Sequence, residues 1–166
     1  MDLIELIKRR RSVREFLDKP ISRDCLEKIV DAARFAPTAR NVQPWEFVVV
    51  TDKGSLKKIA DISEHGKFIS GAAASILVFS QDTKYFLEDC SAATQNAMLA
   101  AAFLGIGSCW VAGDKKSYAG ELNLLFGVPI NHKLVSIIAL GYPVTDKVFR
   151  AAEKKGLQEV LHWEKF

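Results

Sequence analysis

The fold is decided by residues 85–104, YFLEDCSAATQNAMLAAAFL, which have the length and composition of one long helix. Apolar side chains occur on nearly every side of this helix, and Gly105 follows where a helix C-cap would stand. A helix that is apolar all round must also be covered all round. A second subunit would cover it, and so would the sheet and the other helices of the same chain. The sequence therefore predicts a long buried central helix and leaves its cover open.

Shorter helices and strands are predicted on both sides of this segment. Asp2 and Glu5 have the spacing of a capping box for the first helix, and Ser22 opens a second helix that Pro37 ends. The predicted helices cover about residues 3–11, 22–36, 56–62 and 116–126, and the predicted strands cover 47–50, 75–79, 108–112 and 134–140. Because their order has no regular βαβ rhythm, we expect residues 1–166 to form one α+β domain with a central sheet flanked by helices.

The composition excludes several classes of protein. The chain has 166 residues, of which 49% are hydrophobic and 26% charged, as in ordinary globular domains. A net charge of +3 in short clusters does not predict a nucleic-acid partner. Three widely spaced cysteines indicate free thiols in a reducing compartment. The acidic N-terminus is unlike a signal peptide, and the longest apolar run, residues 97–107, is too short to cross a bilayer. We therefore expect a cytoplasmic protein without membrane contact.

The first candidate site is the run RRRSVR at residues 9–14. Three interpretations are open for it. The cations could simply complement the C-terminal end of the first helix. A nucleic-acid patch is disfavoured, because no aromatic residues interleave with the cations. The third interpretation is a phosphate site, since guanidinium groups beside a hydroxyl can make charge-assisted contacts to a dianion.

Two further stretches are candidate ligand contacts. Residues 37–47, PTARNVQPWEF, form a polar loop between two prolines whose amides and hydroxyls suit the edge of a planar heterocycle; the alternative is a structural loop with Trp45 in the core. Residues 105–113, GIGSCWVAG, lack the known phosphate-loop patterns and more simply form a tightly turned strand, with Gly113 allowing close approach to a ligand. The three histidines show no metal-ligand spacing, and no hydrolase motif occurs.

The last ten residues, LQEVLHWEKF, carry too much apolar surface for a free tail and are expected to dock on another surface.

Taken together, these motifs resemble the nitroreductase family of flavoproteins. The matching stretches are RRSVR at 10–14, APTARNVQPW at 36–45, LGIGS at 104–108 and LGYP at 140–143, followed by a basic, apolar tail. The resemblance implies an α+β fold with a mostly antiparallel sheet, an obligate homodimer, two FMN sites at the subunit interface and a tail that docks on the partner.

The resemblance also implies roles for particular residues. Arg10 and Ser12 would hold the phosphate and ribityl end of FMN, with Arg11 beside them, and Arg14 would approach the pyrimidine edge of the ring. The remaining implied cofactor contacts are Pro37, Thr38, Ala39 and Asn41 from the partner subunit, the stretch Trp110, Val111, Ala112 and Gly113 along one face of the ring, and Lys154 and Lys155 in the tail.

Two details of these roles need qualification. A backbone N–H near Ala112 or Gly113 would face flavin N5, although many relatives have an acid at the position of Ala112. Gly156 stands where relatives often have proline, so the choice among Arg150, Lys154 and Lys155 for the phosphate is open.

The expected activity is a ping-pong hydride transfer from NADH or NADPH to a small electron-poor acceptor, such as a nitroaromatic or a quinone. The flavin supplies the chemistry, so no catalytic side chain and no metal are expected. Because the chain has no room for the helices that roof the pocket in longer relatives, we expect an open substrate site. The alternatives are a non-catalytic flavin-binding or redox-sensing protein, and a specialised reaction such as reductive dehalogenation or flavin fragmentation.

Overall fold

The computed structural model describes residues 2–145 and 148–166, and within them it contains five α-helices and four β-strands. The helices are α1 (Leu3–Arg9), α2 (Arg23–Ala33), α3 (Lys53–Ile62), α4 (Phe86–Phe103) and α5 (Ala119–Leu125). The strands are β1 (Trp45–Val50), β2 (Ala74–Gln81), β3 (Gly107–Ala112) and β4 (His132–Gly141). None of the helices in the described residues has the length and hydropathy needed to cross a membrane.

The first three helices begin at side-chain caps. The cap-to-amide distances are 2.8 Å from Asp2 Oδ1 to Glu5 N, 3.3 Å from Ser22 Oγ to Cys25 N and 2.7 Å from Asp52 Oδ2 to Ser55 N. Each cap satisfies an amide that has no partner inside its helix. The caps at Asp2 and Ser22 agree with the sequence prediction.

Several predicted helix boundaries were wrong by two or three residues; α2 ends at Ala33 rather than at residue 36, and α3 begins at Lys53 rather than at residue 56. The first helix ends at Arg9 rather than at Arg11, because Arg10 turns to an extended conformation with ψ 133°. The fifth begins at Ala119 rather than at Lys116, because the residues before it form a separate turn, in which Ala119 N donates to Lys116 O at 3.1 Å.

The four strands form one sheet in the order β1-β2-β4-β3, and every neighbouring pair is antiparallel. The predicted α+β fold with a mostly antiparallel sheet is therefore confirmed. The two central strands are buried along almost their whole length, which explains their unbroken apolar runs. Along β2, Ile76 and Val78 face a core formed with α2 and α4, whereas Leu77 and Phe79 face a second core formed with α3.

The central helix α4 is covered by its own chain on one side. Its buried residues, which pack on the sheet and on α2, are Asp89, Cys90, Ala93, Thr94, Ala97, Met98, Ala101 and Ala102. The opposite side is only half-buried, and Phe103 at its end is 74% exposed. Cover by the chain's own sheet and α2 is therefore confirmed for one side of the helix, and cover of the other side by a second subunit stays a prediction.

The segment that follows α1 lies along the outer edge of β3. Ser12 forms a parallel bridge with Ser108, and Val13 N donates to Ser108 O at 2.9 Å. Gly107 makes this approach possible, because a Cβ at this position would lie 2.9 Å from three side-chain atoms of Val13. The contact brings the RRSVR and GIGS motifs together in space.

Replacing Gly107 by Ala should therefore lower the free energy of unfolding by about 1–3 kcal/mol, because the added methyl overpacks the contact with buried Val13. Gly120→Ala is the matched control. Gly120 lies inside α5, and a Cβ added there would meet nothing within 4 Å, so alanine should stabilise the helix by up to about 1 kcal/mol. Urea denaturation measures both changes, and similar values for the two variants would contradict this account of Gly107.

Candidate functional site

The residues from Arg10 to Arg14 form an extended segment rather than a helical turn. Side chains alternate along an extended segment, so Ser12 and Arg14 point to the side opposite Val13. Burial agrees with this alternation: Val13 is 3% exposed, whereas Ser12 and Arg14 are exposed. The sequence prediction placed these groups in one turn; the structure brings them together by alternation.

An open cavity of about 690 Å³ lies beside this segment. The described residues that line it are Arg10, Arg11, Ser12, Arg14, Thr145, Val148, Arg150 and Lys154. Five of these eight residues are Arg or Lys. Such a concentration of cations in a concave surface favours an anionic ligand.

Arg10 carries the clearest sign that such a ligand fits. Its Nη1 atom is buried and has no hydrogen-bond partner within residues 2–145 and 148–166. Burial, and secondarily the neighbouring Arg11 guanidinium, lower the pKa of Arg10 from its usual value. Both effects arise because a partly buried guanidinium lacks a hydrogen-bonding anion. A phosphate dianion would supply one, through charge-assisted hydrogen bonds.

Two neighbouring arginines hold the C-terminal segment beside this cavity by hydrogen bonds. Arg9 Nε donates to the Phe149 carbonyl at 3.1 Å, and Arg11 Nε donates to the Arg150 carbonyl. Arg9 is therefore more than a solvated charge at the end of α1. Arg150 and Lys154 line the cavity, whereas Lys155 is exposed and is not part of its lining.

A second, smaller cavity of about 140 Å³ shares one lining residue with the first. It is lined by Arg14, His65, Phe68, Cys109, Trp110, Val111, Ala112, Lys116 and Tyr118. Arg14 lines both cavities, and its guanidinium carbon lies 5.7 Å from the centre of the Phe68 ring. The two cavities, together called the ligand path below, thus place a cationic surface and an aromatic-lined surface against Arg14, an arrangement that suits a planar ligand with a terminal phosphate. Sequence analysis missed His65, Phe68 and Tyr118, which no local motif marks.

The backbone at the end of β3 distinguishes the two amides predicted to face the ligand. Gly113 N donates to Val135 O at 3.0 Å, so this amide is occupied within the sheet. Amides of successive strand residues point to opposite edges, so the Ala112 N–H lies on the outer edge, where the Ala112 carbonyl accepts the Tyr118 hydroxyl. Ala112 therefore offers the backbone donor. Gly113 is required by space, because a Cβ there would lie 2.6 Å from Leu134 Cγ.

Cys109 is the thiol nearest to this ligand path. Burial raises the pKa of its thiol, which opposes formation of a nucleophilic thiolate near neutral pH. Within the described part of the chain, no group of three His, Cys, Asp or Glu side chains is arranged to hold a metal ion.

The loop at residues 37–43 lines neither cavity of its own chain. This places Pro37, Thr38, Ala39 and Asn41 away from the cationic site that the same chain forms. Trp45, which follows the loop, is buried in the core as the alternative interpretation expected. Sequence analysis also missed Asp89 on α4, whose buried carboxylate accepts hydrogen bonds from Thr38 Oγ1 and Ala39 N. Its only sequence signal is its place in an acidic pair, with Glu88, at the start of a largely apolar helix.

Fold and site together define an α+β protein with a cationic pocket at the edge of its sheet, suited to a phosphate-bearing planar cofactor. The profile of the Nitroreductase family matches residues 7–83 and 64–142. The chain is also 38% identical, over 99% of both sequences, to an Archaeoglobus fulgidus protein named as an inferred NADH dehydrogenase/NAD(P)H nitroreductase. The chain therefore belongs to the nitroreductase family, which confirms the predicted family and the prediction of an oxidoreductase.

Solved structures agree with this assignment. The structure of an FMN-dependent nitroreductase from Clostridium difficile R20291 has a TM-score of 0.90 and 27% identity, with 98% of this chain and 99% of that chain covered. An inferred nitroreductase from Desulfovibrio desulfuricans in complex with FMN has a TM-score of 0.86 and 28% identity, with 100% and 98% covered. A more distant relative is mouse iodotyrosine deiodinase 1, 25% identical over 96% of this chain and 68% of its own length.

Replacing Arg10 by Ala should weaken FMN binding about ten- to a hundredfold, because a charge-assisted hydrogen bond contributes about 1.5–3 kcal/mol. Lys8→Ala is the control, since Lys8 is an exposed cation at the same end of α1 but does not line the cavity. Fluorescence titration of FMN into the flavin-free variants gives both dissociation constants. Equal losses at the two positions would mean that the site senses overall charge rather than a contact at Arg10.

Proposed function

We propose that the protein is an FMN-dependent oxidoreductase that transfers hydride from NADH or NADPH to small electron-poor acceptors, such as nitroaromatics or quinones, in a ping-pong reaction. The observation that carries this proposal is that Arg14 lines both a cationic cavity, suited to a phosphate, and a smaller aromatic-lined cavity. The names of the FMN-dependent and FMN-complexed relatives support the choice of cofactor.

Different residues would bind different parts of FMN. Arg10, Arg11 and Ser12 would bind the phosphate end, together with Arg150 and Lys154 from the C-terminal segment. Arg14 would stand at the pyrimidine edge, and Trp110 and Val111 would line the ring. The Ala112 N–H is the donor available for flavin N5. When bound, FMN supplies the two-electron chemistry, and the protein supplies position and electrostatics.

The protein's own groups would act by positioning rather than by proton transfer. The Tyr118 hydroxyl donates to the Ala112 carbonyl and so helps to hold the backbone of the residue whose own N–H we assign to flavin N5. Cys109, held as a neutral thiol, adds no competing nucleophile. A single open slot would receive the nicotinamide donor first and the acceptor afterwards, which is why we propose a ping-pong order.

We further propose a homodimer in which each FMN contacts both chains. The half-buried side of α4 continues into α1, where Leu3 and Ile4 are more than half exposed. Every residue from 151 to 166 is exposed, and Trp163 is 80% exposed. A groove of about 910 Å³, lined by α2 and by Val49 and Thr51 at the edge of the sheet, combines apolar side chains with four charged ones and so suits the partner's tail, which carries both kinds. Pairing would also bring the partner's 37–43 loop to the flavin.

A cytoplasmic location remains part of this proposal. It rests on the three free cysteines, two of them buried.

Reductive dehalogenation is the second candidate function, because iodotyrosine deiodinases are among the relatives. The alignment with the mouse enzyme spans 195 positions, more than the 166 residues of this chain, so that enzyme carries inserted residues that this chain lacks. The shorter chain favours the open, weakly discriminating site of the first proposal. A non-catalytic flavin protein would bind FMN but resist reduction by both nicotinamides.

The decisive experiment follows the flavin spectrum. Purified or reconstituted protein should be yellow, release FMN rather than FAD on denaturation, and lose its visible absorbance when NADH or NADPH is added without oxygen. Addition of a nitroaromatic or a quinone should then restore the absorbance, whereas iodotyrosine should restore it only for a dehalogenase. Protein that binds no FMN, or bound FMN that neither nicotinamide reduces, would contradict the proposed activity.

The proposed dimer is tested by making the tail polar. Replacing both Trp163 and Phe166 by Ser should raise the dimer dissociation constant at least about tenfold, since each burial of such a side chain contributes roughly 1.5–3 kcal/mol. The matched control replaces Leu124 and Ile130, which are 85% and 103% exposed, by Ser. Sedimentation over a dilution series measures the association. Equal behaviour of the two double variants would exclude the tail from the interface.

A further inference from the structure

The buried carboxylate of Asp89 holds the two ends of the 37–43 loop together by hydrogen bonds. Asp89 on α4 is only 6% exposed. Its Oδ2 accepts the Thr38 hydroxyl at 2.9 Å, and its Oδ1 accepts the Ala39 amide at 3.2 Å. The same Thr38 oxygen accepts the Gln43 amide at 3.1 Å. The carboxylate therefore binds the start of the loop directly and its end through Thr38.

The loop that these bonds enclose has a costly backbone conformation. Arg40, Asn41 and Gln43 have φ values of 55°, 57° and 53°, in the left-handed region that side chains with a Cβ disfavour. Conformations of this kind persist only where surrounding contacts impose them. The hydrogen bonds at Thr38 and Ala39 lie directly before the left-handed residues, and the bond to Gln43 lies at their end. Asp89 and Thr38 thus supply contacts that hold the conformation.

The environment of Asp89 indicates a local role rather than a contribution to overall stability. Within the described residues, no Lys, Arg or His forms an ion pair with this carboxylate. Its charge is offset by the two hydrogen bonds and by its position in the first turn of α4, where the helix dipole favours an anion. Burying a carboxylate has a large desolvation cost, so its net contribution to folding is small.

We propose that Asp89 is a positioning residue that holds the 37–43 loop in the conformation needed to contact the flavin of a partner subunit. This inference rests on the proposed function. It also assigns the polar groups of the loop. The Thr38 O–H and the Ala39 N–H are already donated to Asp89, so among the loop residues assigned to the flavin the exposed side-chain amide of Asn41 is the polar group left to reach it. Because Asp89 belongs to α4, the loop is fixed relative to the helix whose other side we assign to the dimer.

The first test compares Asp89→Asn with Glu88→Gln in the full-length chain. The asparagine keeps the shape but only one accepting oxygen, whereas Glu88 is an exposed acid on the same turn of α4. Trypsin cleavage after Arg40 in flavin-free protein reports loop opening and should become about tenfold faster in Asp89→Asn. The FMN dissociation constant should rise about tenfold as well. Glu88→Gln should match the parent in both measurements, and the thermal midpoint of Asp89→Asn should stay near that of the parent.

A second pair of variants decides the question if Asp89→Asn does not fold. Thr38→Val removes the hydroxyl and should reproduce both effects, and Thr38→Ser restores the hydroxyl and should return both to the parent values. If the Thr38 side chain acted only by filling space, serine would not return both measurements to the parent values.

The outcomes test the role of Asp89 and the proposed function separately, although the first rests on the second. Control-level cleavage in both Asp89→Asn and Thr38→Val would overturn the role of Asp89 in holding the loop. Faster cleavage with unchanged FMN affinity would overturn its role in positioning the loop for the flavin. A parent protein that binds no FMN would overturn the proposed function, while the cleavage rates would still decide whether Asp89 holds the loop.

Discussion

The pairing of residues 12–17 with the edge of the sheet is the contact on which the site depends. Val13 N donates to Ser108 O, and Leu17 N donates to Tyr142 O at 2.8 Å. These bonds hold the segment extended, and an extended segment places Ser12 and Arg14 on the side away from the core. The same pairing sets Arg14 beside the strand that ends at Ala112. A helical continuation through Arg11 would instead have spread the cations around the helix axis.

The cations that this pairing brings together repel one another. Hydrogen bonds to backbone carbonyls explain how the chain tolerates this repulsion. Arg11 donates to the carbonyls of Lys8 and Arg150, so one of the repelling groups also ties two segments together. Arg10 has no such compensation at Nη1, and its lowered pKa reflects that position. A bound dianion would relieve both the repulsion and the unmet hydrogen bond. In the proposed complex, the relief of this repulsion would therefore add to the affinity for the phosphate.

Local patterns sufficed for most of the fold but not for the assembly of the site. The apolar run of β2 and the Ser22 cap of α2 predicted a strand and a helix that the structure confirms. The boundary at Arg10 was missed because it depends on pairing with Ser108, far along the chain, which no local propensity encodes. Asp89 was missed for a related reason. Near a helix start an acid is ordinarily a solvated complement to the dipole, and only the packing of the 37–43 loop buries it.

The helix α4 takes part in both the proposed dimer and the proposed cofactor site, because its own chain covers only one of its sides. One side of the helix packs on the sheet and on α2, and from this helix Asp89 holds the loop assigned to the partner's flavin. If each FMN contacts both chains, it binds the dimer more tightly than the separated chains, and the two equilibria are linked. FMN at a hundredfold excess over its dissociation constant would then stabilise the dimer by about 2.7 kcal/mol per site. The same linkage requires that dilution weaken FMN binding, so the cofactor and the subunit contact are retained or lost together.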